Sequence, residues 1–161
     1  MFRFSDHRTA GELLATVLED FAERSDVVVL ALRPQAADVA VALADVLRLT
    51  FAHELPPITP IAFFQGRTIP LVNDGFESSS ELVRLVTEAR VHNPARVIVA
   101  APVASLDAAE GARRAADGWA FLATPTPFHS VGFWYEDSMR QVSNALFAGR
   151  HPLHGLSPAL A

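Results

Sequence analysis

Three continuous apolar runs constrain the fold of this chain more than any other feature of its sequence. The runs cover residues 27–32, 96–101 and 119–123, and almost every position in them carries an apolar side chain. A strand with one wet face alternates apolar and polar residues, so runs without alternation fit parallel strands buried on both faces. Helical patterns separate the runs, and strand–helix repeats of this kind build a parallel sheet with right-handed crossovers. The sequence therefore predicts a three-layer α/β fold in which helices flank a mostly parallel sheet.

Four helical patterns accompany these strands. The first opens at a predicted capping box, Thr9 to Glu12, and its apolar residues recur at helical spacing as far as Phe21. The others cover about residues 36–47, 78–92 and 106–116. The apolar residues expected to face the core from the first three helices are Leu13, Leu14, Val17, Leu18, Phe21, Val39, Leu43, Val46, Leu47, Leu82, Leu85, Val86 and Ala89.

Residues 50–66 form the least regular part of the sequence. Their prolines predict an extended, irregular connection with a short strand at 61–64. A further strand is predicted at 69–73, where Pro70 cannot donate to the ladder and is therefore expected at an edge of the sheet. We expect a single domain over residues 1–148 and a C-terminal tail over residues 149–161.

Composition excludes several functional classes. The formal net charge is −5, which gives no electrostatic basis for binding nucleic acid or an anionic membrane. Cysteine is absent, which excludes a disulfide, a thiolate metal site and a cysteine nucleophile. His151 and His154 in the tail have no evident third ligand, so no metal site is predicted. The sequence lacks a signal-peptide pattern and a transmembrane run, so we expect a cytoplasmic protein.

Residues 68–81 combine a strand, an acidic tip, a turn and a helix start. Ligands of open α/β sheets bind beyond the carboxyl ends of the strands, and a helix N-terminus attracts phosphate. Ser78 and Glu81 also fit a capping box, which would occupy the same helix end. Both interpretations stay open at this point. The candidate ligand-binding residues of the stretch are Asn73, Asp74, Gly75, Ser78, Ser79 and Ser80.

This stretch resembles the phosphoribosyl-pyrophosphate (PRPP) motif of type I phosphoribosyltransferases. In that motif four apolar residues lead into two adjacent acids and a loop that ends in Thr-Gly-x-Thr/Ser. The resemblance implies that the acids face the ribose hydroxyls and a metal ion, and that the loop wraps the 5′-phosphate. Asp74 matches the second acid, whereas Asn73 replaces the first. Ser78 stands at the first threonine, Ser79 at the glycine and Glu81 at the closing hydroxyl residue.

Two further regions carry the same resemblance. Arg33 follows the first apolar run where the family has a pyrophosphate loop of the type Leu-Pro-Arg-Gly-Gly, so Arg33 is the basic residue expected to meet an anion. Residues 97–103 and 131–137 resemble later family segments, which extends the likeness over about residues 2–147. Residues 50–66 are much shorter than the family's catalytic loop and hood. The aromatic residues at 128–135 either stack a base or cover the end of the sheet.

The resemblance implies a phosphoribosyltransferase-like domain, and the altered motif leaves its enzymatic status undecided. The changed acid, lost glycines and missing hood together favour a catalytically degenerate structural, regulatory or ligand-binding module without a cofactor. The alternative is an active transferase completed by a partner chain, with Asp74 as its catalytic residue and Mg²⁺ as its cofactor. The expected ligand is PRPP or a nucleoside monophosphate, and the expected protein partner is a second copy of the chain in a homodimer. We expect the chain to bind neither nucleic acid nor a membrane.

Overall fold

A parallel five-stranded sheet forms the centre of the molecule. The computed structural model describes residues 2–55 and 59–139. Its strands run in the order β2-β1-β3-β4-β5, and every neighbouring pair is parallel. The predicted α/β class with a parallel sheet is thus confirmed. The strands are β1 (Val28–Leu30), β2 (Thr50–Ala52), β3 (Thr68–Val72), β4 (Arg96–Val103) and β5 (Gly118–Ala123).

Two pairs of helices cover the two faces of the sheet. The four helices are α1 (His7–Thr16), α2 (Ala37–Leu47), α3 (Ser79–Arg90) and α4 (Leu106–Ala115). Helices α1 and α2 share one apolar core with the sheet, and α3 and α4 share another on the opposite face. The buried residues on α3 are those predicted from its spacing: Leu82, Leu85, Val86 and Ala89. Burial on both faces explains why the strand runs lack polar alternation.

Helices α1 and α2 cross in close contact at Gly11. A Cβ atom added to Gly11 would lie 2.3 Å from the carbonyl oxygen of Val39 and 2.9 Å from the Cβ atom of Ala42. No side chain fits at that separation, so the crossing depends on the missing Cβ atom of Gly11. The contact fixes α1, whose first residue is His7, against α2.

A third apolar cluster joins the first residues of the described chain to its last ones. Phe4 forms a parallel bridge with Tyr135, and its backbone N–H donates to the carbonyl oxygen of Trp134 at 2.8 Å. Phe4, Trp134 and Tyr135 are buried together with Ala10 and Val103. The aromatic stretch therefore covers the carboxyl end of the sheet, as one of its two sequence interpretations expects.

Several sequence predictions of the helices are wrong in detail. The N-cap of α1 is Asp6, whose carboxylate accepts the backbone N–H of Thr9 at 2.6 Å, so the predicted box at Thr9 does not start this helix. Leu13 is 46% exposed, and Val17 lies beyond the end of α1. Val46 on α2 is also exposed. Helical spacing alone misassigned these residues because the buried stripe is narrower than the apolar one.

The region around residues 50–70 also differs from prediction. Pro70 lies in β3, which is a central strand paired with β1 and β4, and not at an edge. β1 pairs with β3 at Leu30–Leu71 and contacts it again at Val27–Thr68, so the interrupted ladder accommodates the missing N–H of Pro70. The expected strand at 61–64 is a 3₁₀ turn, Ile61–Phe63.

The remaining predictions on organisation fall partly outside the described residues. The predicted tail at 149–161 and the predicted end of the domain at residue 148 lie outside the residues that the structure describes, so both stay predictions. Within residues 2–55 and 59–139, no helix combines the length and apolar character needed to cross a bilayer.

Candidate functional site

The strand order places the candidate site between β1 and β3. The chain leaves β1 toward α2 on one face, and it leaves β3 toward α3 on the other face. This divergence opens a crevice at the carboxyl ends of the two strands, the usual ligand position in such sheets. Arg33 follows β1 and Asp74 follows β3, so topology brings these two predicted residues to the same edge.

Asn73 uses its side chain to build the turn that follows β3. It is 3% exposed, and its Nδ2 group donates to the carbonyl oxygen of Gly75 at 3.0 Å. A carboxylate could not make this bond, because an ionised carboxylate only accepts. The Oδ1 atom of Asn73 is buried without a hydrogen-bond partner in the described part of the chain. Asn73 therefore supports the turn and does not line either cavity described below.

Asp74 is held from two sides. Its carboxylate Oδ2 lies 3.6 Å from His7 Nε2, and its backbone carbonyl accepts the hydroxyl of Tyr135. Gly75 beside it packs so closely that an added Cβ atom would lie 2.8 Å from Val131 Cγ1. The tip of the loop, defined as Asn73–Gly75, is consequently fixed by residues that are distant in sequence.

His7 links Asp74 to Asp137. Its Nδ1 atom lies 3.0 Å from Asp137 Oδ2, and its ring stacks on Tyr135 with centroids 3.9 Å apart and planes 7° from parallel. Partial burial opposes the charged imidazole, but the contacts with the carboxylates of Asp74 and Asp137 and their negative charges outweigh it and raise the pKa of His7. Burial also raises the pKa of the Tyr135 hydroxyl far above its usual range, so this hydroxyl stays protonated and donates.

The N-terminus of α3 is occupied by groups of the chain itself. Ser78 is the N-cap, and its Oγ accepts the backbone N–H of Glu81 at 3.4 Å, as the capping interpretation predicts. The carboxylate of Glu81 does not complete the reciprocal half of the box. Its Oε1 atom instead lies 2.9 Å from Nε of Arg33. The Ser78 half of the predicted capping box thus forms. The Glu81 side chain instead links α3 to the loop that follows β1.

A second carboxylate reaches the same helix end from α4. Asp107 Oδ2 accepts the backbone N–H of Ser79 at 2.8 Å, and this hydrogen bond lowers the pKa of Asp107. The close approach of the two helices depends on Gly111, where an added Cβ atom would lie 2.7 Å from the Cβ atom of Ser79. Sequence analysis missed Asp107, because its distance of 28 positions from Ser79 leaves no local signal.

The crevice is divided into two cavities. One has a volume of 590 Å³ and is lined by Arg33, Ser80, Glu81 and Arg84. Nε of Arg33 is buried and has no aligned hydrogen bond, although it touches the carboxylate of Glu81. Arg33 and Ser80 therefore line one cavity together, as a shared anion site requires. Arg84 is an additional cationic residue that sequence analysis did not single out.

The other cavity contains Asp74. It has a volume of 410 Å³, and most of its wall is polar, with three aspartates among the lining residues. These residues are His7, Pro34, Gln35, Asp38, Asp74, Gly132, Asp137 and Ser138. Asp74 is thus separated from Arg33 and Ser80, with which the sequence grouped it. Among the described residues, no three histidine or acidic side chains are arranged to hold a metal ion.

Comparisons with known proteins identify the fold. No family model and no curated protein matches the sequence. Among solved structures, TT1426 from Thermus thermophilus is similar with a TM-score of 0.69 and 23% identity, covering 83% of this chain and 90% of that one. The purine phosphoribosyltransferase from Pyrococcus horikoshii has a TM-score of 0.52 and 15% identity, with coverage of 71% and 80%.

A third similar structure carries a nucleotide. It is a hypothetical protein from Neisseria gonorrhoeae with bound ppGpp, at a TM-score of 0.58 and 12% identity, covering 89% of this chain and 94% of that one. At these identities the likeness concerns the fold. The five parallel strands agree with such a fold, and so does the point between β1 and β3 where the chain leaves toward opposite faces of the sheet. The chain therefore has a phosphoribosyltransferase-like fold.

Proposed function

We propose that this chain is a catalytically inactive phosphoribosyltransferase-like domain that binds a small phosphorylated ligand as a sensing or regulatory module. The observation that carries the proposal is the occupied N-terminus of α3. Two of its backbone N–H groups bond to Asp107 and Ser78, and Glu81 contacts the basic residue Arg33. A phosphate that needs these donors has to displace the chain's own groups.

Electrostatics at the helix end oppose the polyanion PRPP. Asp107 and Glu81 place two carboxylates where the 5′-phosphate of the resembling motif would lie. Like charges at close range repel, and the partly exposed position reduces this repulsion without reversing it. Arg33 lies beside Glu81 and so cannot give its full charge to a pyrophosphate. The site is therefore suited to a ligand of lower charge than PRPP.

The metal ion implied by the fold family does not fit the groups at the loop tip. Mg²⁺ prefers several hard oxygen ligands in octahedral geometry, and the resembling motif offers two adjacent acids at this tip. The position of the first acid is Asn73, whose amide is buried in the turn. Asp74 offers the one carboxylate of the tip, and it faces His7. We therefore assign the domain no metal-dependent step.

The ligand best supported is a nucleoside monophosphate or a similar small phosphate ester. Arg33, Arg84 and Ser80 give the 590 Å³ cavity two guanidinium groups and one hydroxyl against the single carboxylate of Glu81. A guanidinium pairs well with a phosphate through parallel hydrogen bonds. The nucleotide bound to the Neisseria protein of similar fold also supports a nucleotide ligand.

Calorimetric titration tests the proposal. The protein is titrated with nucleoside monophosphates, with ribose 5-phosphate, and with PRPP plus Mg²⁺. We expect a monophosphate to bind and PRPP to show no Mg²⁺-dependent binding. The variant Arg33→Ala should weaken monophosphate binding at least about tenfold, the loss of one charge-assisted contact. The matched control Arg114→Ala removes an exposed arginine of α4 and should bind as the wild type does.

Two outcomes would contradict the proposal in different ways. Micromolar, Mg²⁺-dependent PRPP binding would overturn the assigned inactivity and favour an active transferase completed by a partner chain, with Asp74→Ala as the decisive variant. Failure of every ligand to bind would overturn the ligand-binding role and leave a structural one.

A further inference from the structure

His7 lies between two carboxylates that belong to distant parts of the chain. Its Nδ1 atom is 3.0 Å from Asp137 Oδ2, and its Nε2 atom is 3.6 Å from Asp74 Oδ2. His7 is the first residue of α1, Asp74 is at the tip after β3, and Asp137 follows the aromatic stretch. The three side chains are between 15% and 28% exposed, so water screens the contacts only in part.

This arrangement satisfies both carboxylates only when the imidazole carries two protons. A neutral imidazole has one N–H group, and its other ring nitrogen presents a lone pair. With a neutral ring, one of the two anionic oxygens would face that lone pair. The charged ring donates from both nitrogens and gains two charge-assisted contacts.

The surrounding residues support a charged ring. Tyr135 stacks face to face on His7, an arrangement that attracts a cation to the aromatic face. The Tyr135 hydroxyl donates to the Asp74 carbonyl, so the same residue holds the ring and the loop tip. Asp38 of α2 lines the adjoining cavity and adds negative charge. Asp6 is the residue before His7 in the chain, and its carboxylate accepts the backbone N–H of Thr9. Burial opposes the charged ring, but the contacts with the carboxylates of Asp74 and Asp137 raise the pKa of His7.

We propose that His7 is a positioning residue for Asp74 and acts as a proton-dependent clamp. The doubly protonated ring holds three segments together: the start of α1, the loop tip and the segment that contains Asp137. Loss of one proton leaves the carboxylates of Asp74 and Asp137 without their shared cation. The Asp74 carboxylate is then released into the 410 Å³ cavity that it lines. The clamp is a property of the ligand-free chain and does not depend on the proposed function.

Nuclear magnetic resonance tests the clamp directly. Protein with ¹⁵N-labelled histidine is titrated with alkali, and both ring nitrogens of each histidine are followed. We expect His7 to keep both protons to a higher pH than the exposed His53, which serves as the internal control. The backbone amide of Gly75 should titrate with the same midpoint as His7, because the loop tip moves when the clamp opens. A purely structural histidine would not couple the Gly75 amide to the protonation of its ring.

Two variants keep the test decisive. Asp137→Asn removes one anionic partner and should move the His7 midpoint to lower pH without removing the ring. His7→Gln should abolish the Gly75 titration step, whereas the control His53→Gln should leave it unchanged. A His7 ring that loses its second proton at a midpoint no higher than that of His53 would overturn the proposal. The same holds for a Gly75 step that persists in His7→Gln.

Discussion

At the scale of single residues, side chains buried in the crevice decide which polar groups a ligand can reach. Asn73 shows this most clearly, since its Nδ2 group bonds within the turn and Asp74 supplies the one carboxylate of the loop tip to the cavity wall. The exchange of an acid for an amide at this position therefore changes the shape of the tip as well as its charge. A second carboxylate at residue 73 would face a carbonyl oxygen where a donor is needed.

The variant Asn73→Asp tests this interpretation. The introduced carboxyl would be buried against the carbonyl oxygen of Gly75, and we expect a loss of about 2–3 kcal/mol in the free energy of unfolding at neutral pH. Burial raises the pKa of such a carboxyl in the folded state, so the penalty should shrink as the pH falls and the group binds a proton. Urea unfolding at several pH values measures both effects. A variant as stable as the wild type at neutral pH would contradict the role given to Asn73.

At the scale of secondary-structure elements, two close crossings position the site. α4 approaches α3 at Gly111 and thereby brings Asp107 to the backbone N–H of Ser79. α1 crosses α2 at Gly11 and thereby fixes the helix that begins with His7. In both cases a glycine sets the separation of two helices, and an ionisable residue at the start of one helix then contacts another part of the candidate site.

The variant Gly11→Ala should destabilise the crossing of α1 and α2. The new Cβ atom would fall within 2.3 Å of the Val39 carbonyl oxygen, so the helices have to separate, and overpacking of this kind costs about 1–3 kcal/mol. The control is Gly132→Ala, whose Cβ atom would meet Ser138 at an ordinary 3.7 Å. Chemical unfolding compares the two variants with the wild type. Equal stabilities for the two would show that the crossing tolerates a side chain.

At the scale of the whole molecule, the architecture was predictable from sequence and the site was predictable only in part. Apolar runs without polar alternation indicate buried parallel strands, and the capping pattern of Ser78 depends on neighbouring residues alone. Both features could therefore be predicted from the sequence. The contacts of His7 with Asp137 and of Ser79 with Asp107 join residues 130 and 28 positions apart. No periodicity records such contacts, because they depend on how whole elements pack.

The pH dependence of global stability follows from groups in several parts of the fold. The pKa of Asp117 is lowered chiefly by the backbone N–H of Val97, so its contribution is present above the ordinary value of 3.8 and is lost as the pH falls through the folded value. The raised pKa of His7 has the opposite consequence: its contribution is complete below 6.5 and is lost as the pH rises through the folded value. Stability should therefore decline toward both acid and alkali.

Unfolding free energies across this pH range check the profile. We expect Asp117→Asn to reduce the acid decline and His7→Gln to remove the alkaline one, while Asp20→Asn, an exposed control, leaves the profile unchanged. If the His7→Gln variant lost as much stability toward alkali as the wild type does, that loss would have to come from another group.

The pairing of Phe4 with Tyr135 has a consequence for the order in which the chain folds during synthesis. The strands β1 to β4 and their helices are complete in a nascent chain that has not yet reached the aromatic stretch. The contacts that fix Asp74 and His7 need Tyr135 and Asp137, and closing so long a loop is slow and comes after local structure. We therefore expect a ribosome-bound chain to form its sheet before the loop tip is fixed, so that the candidate site matures after the sheet.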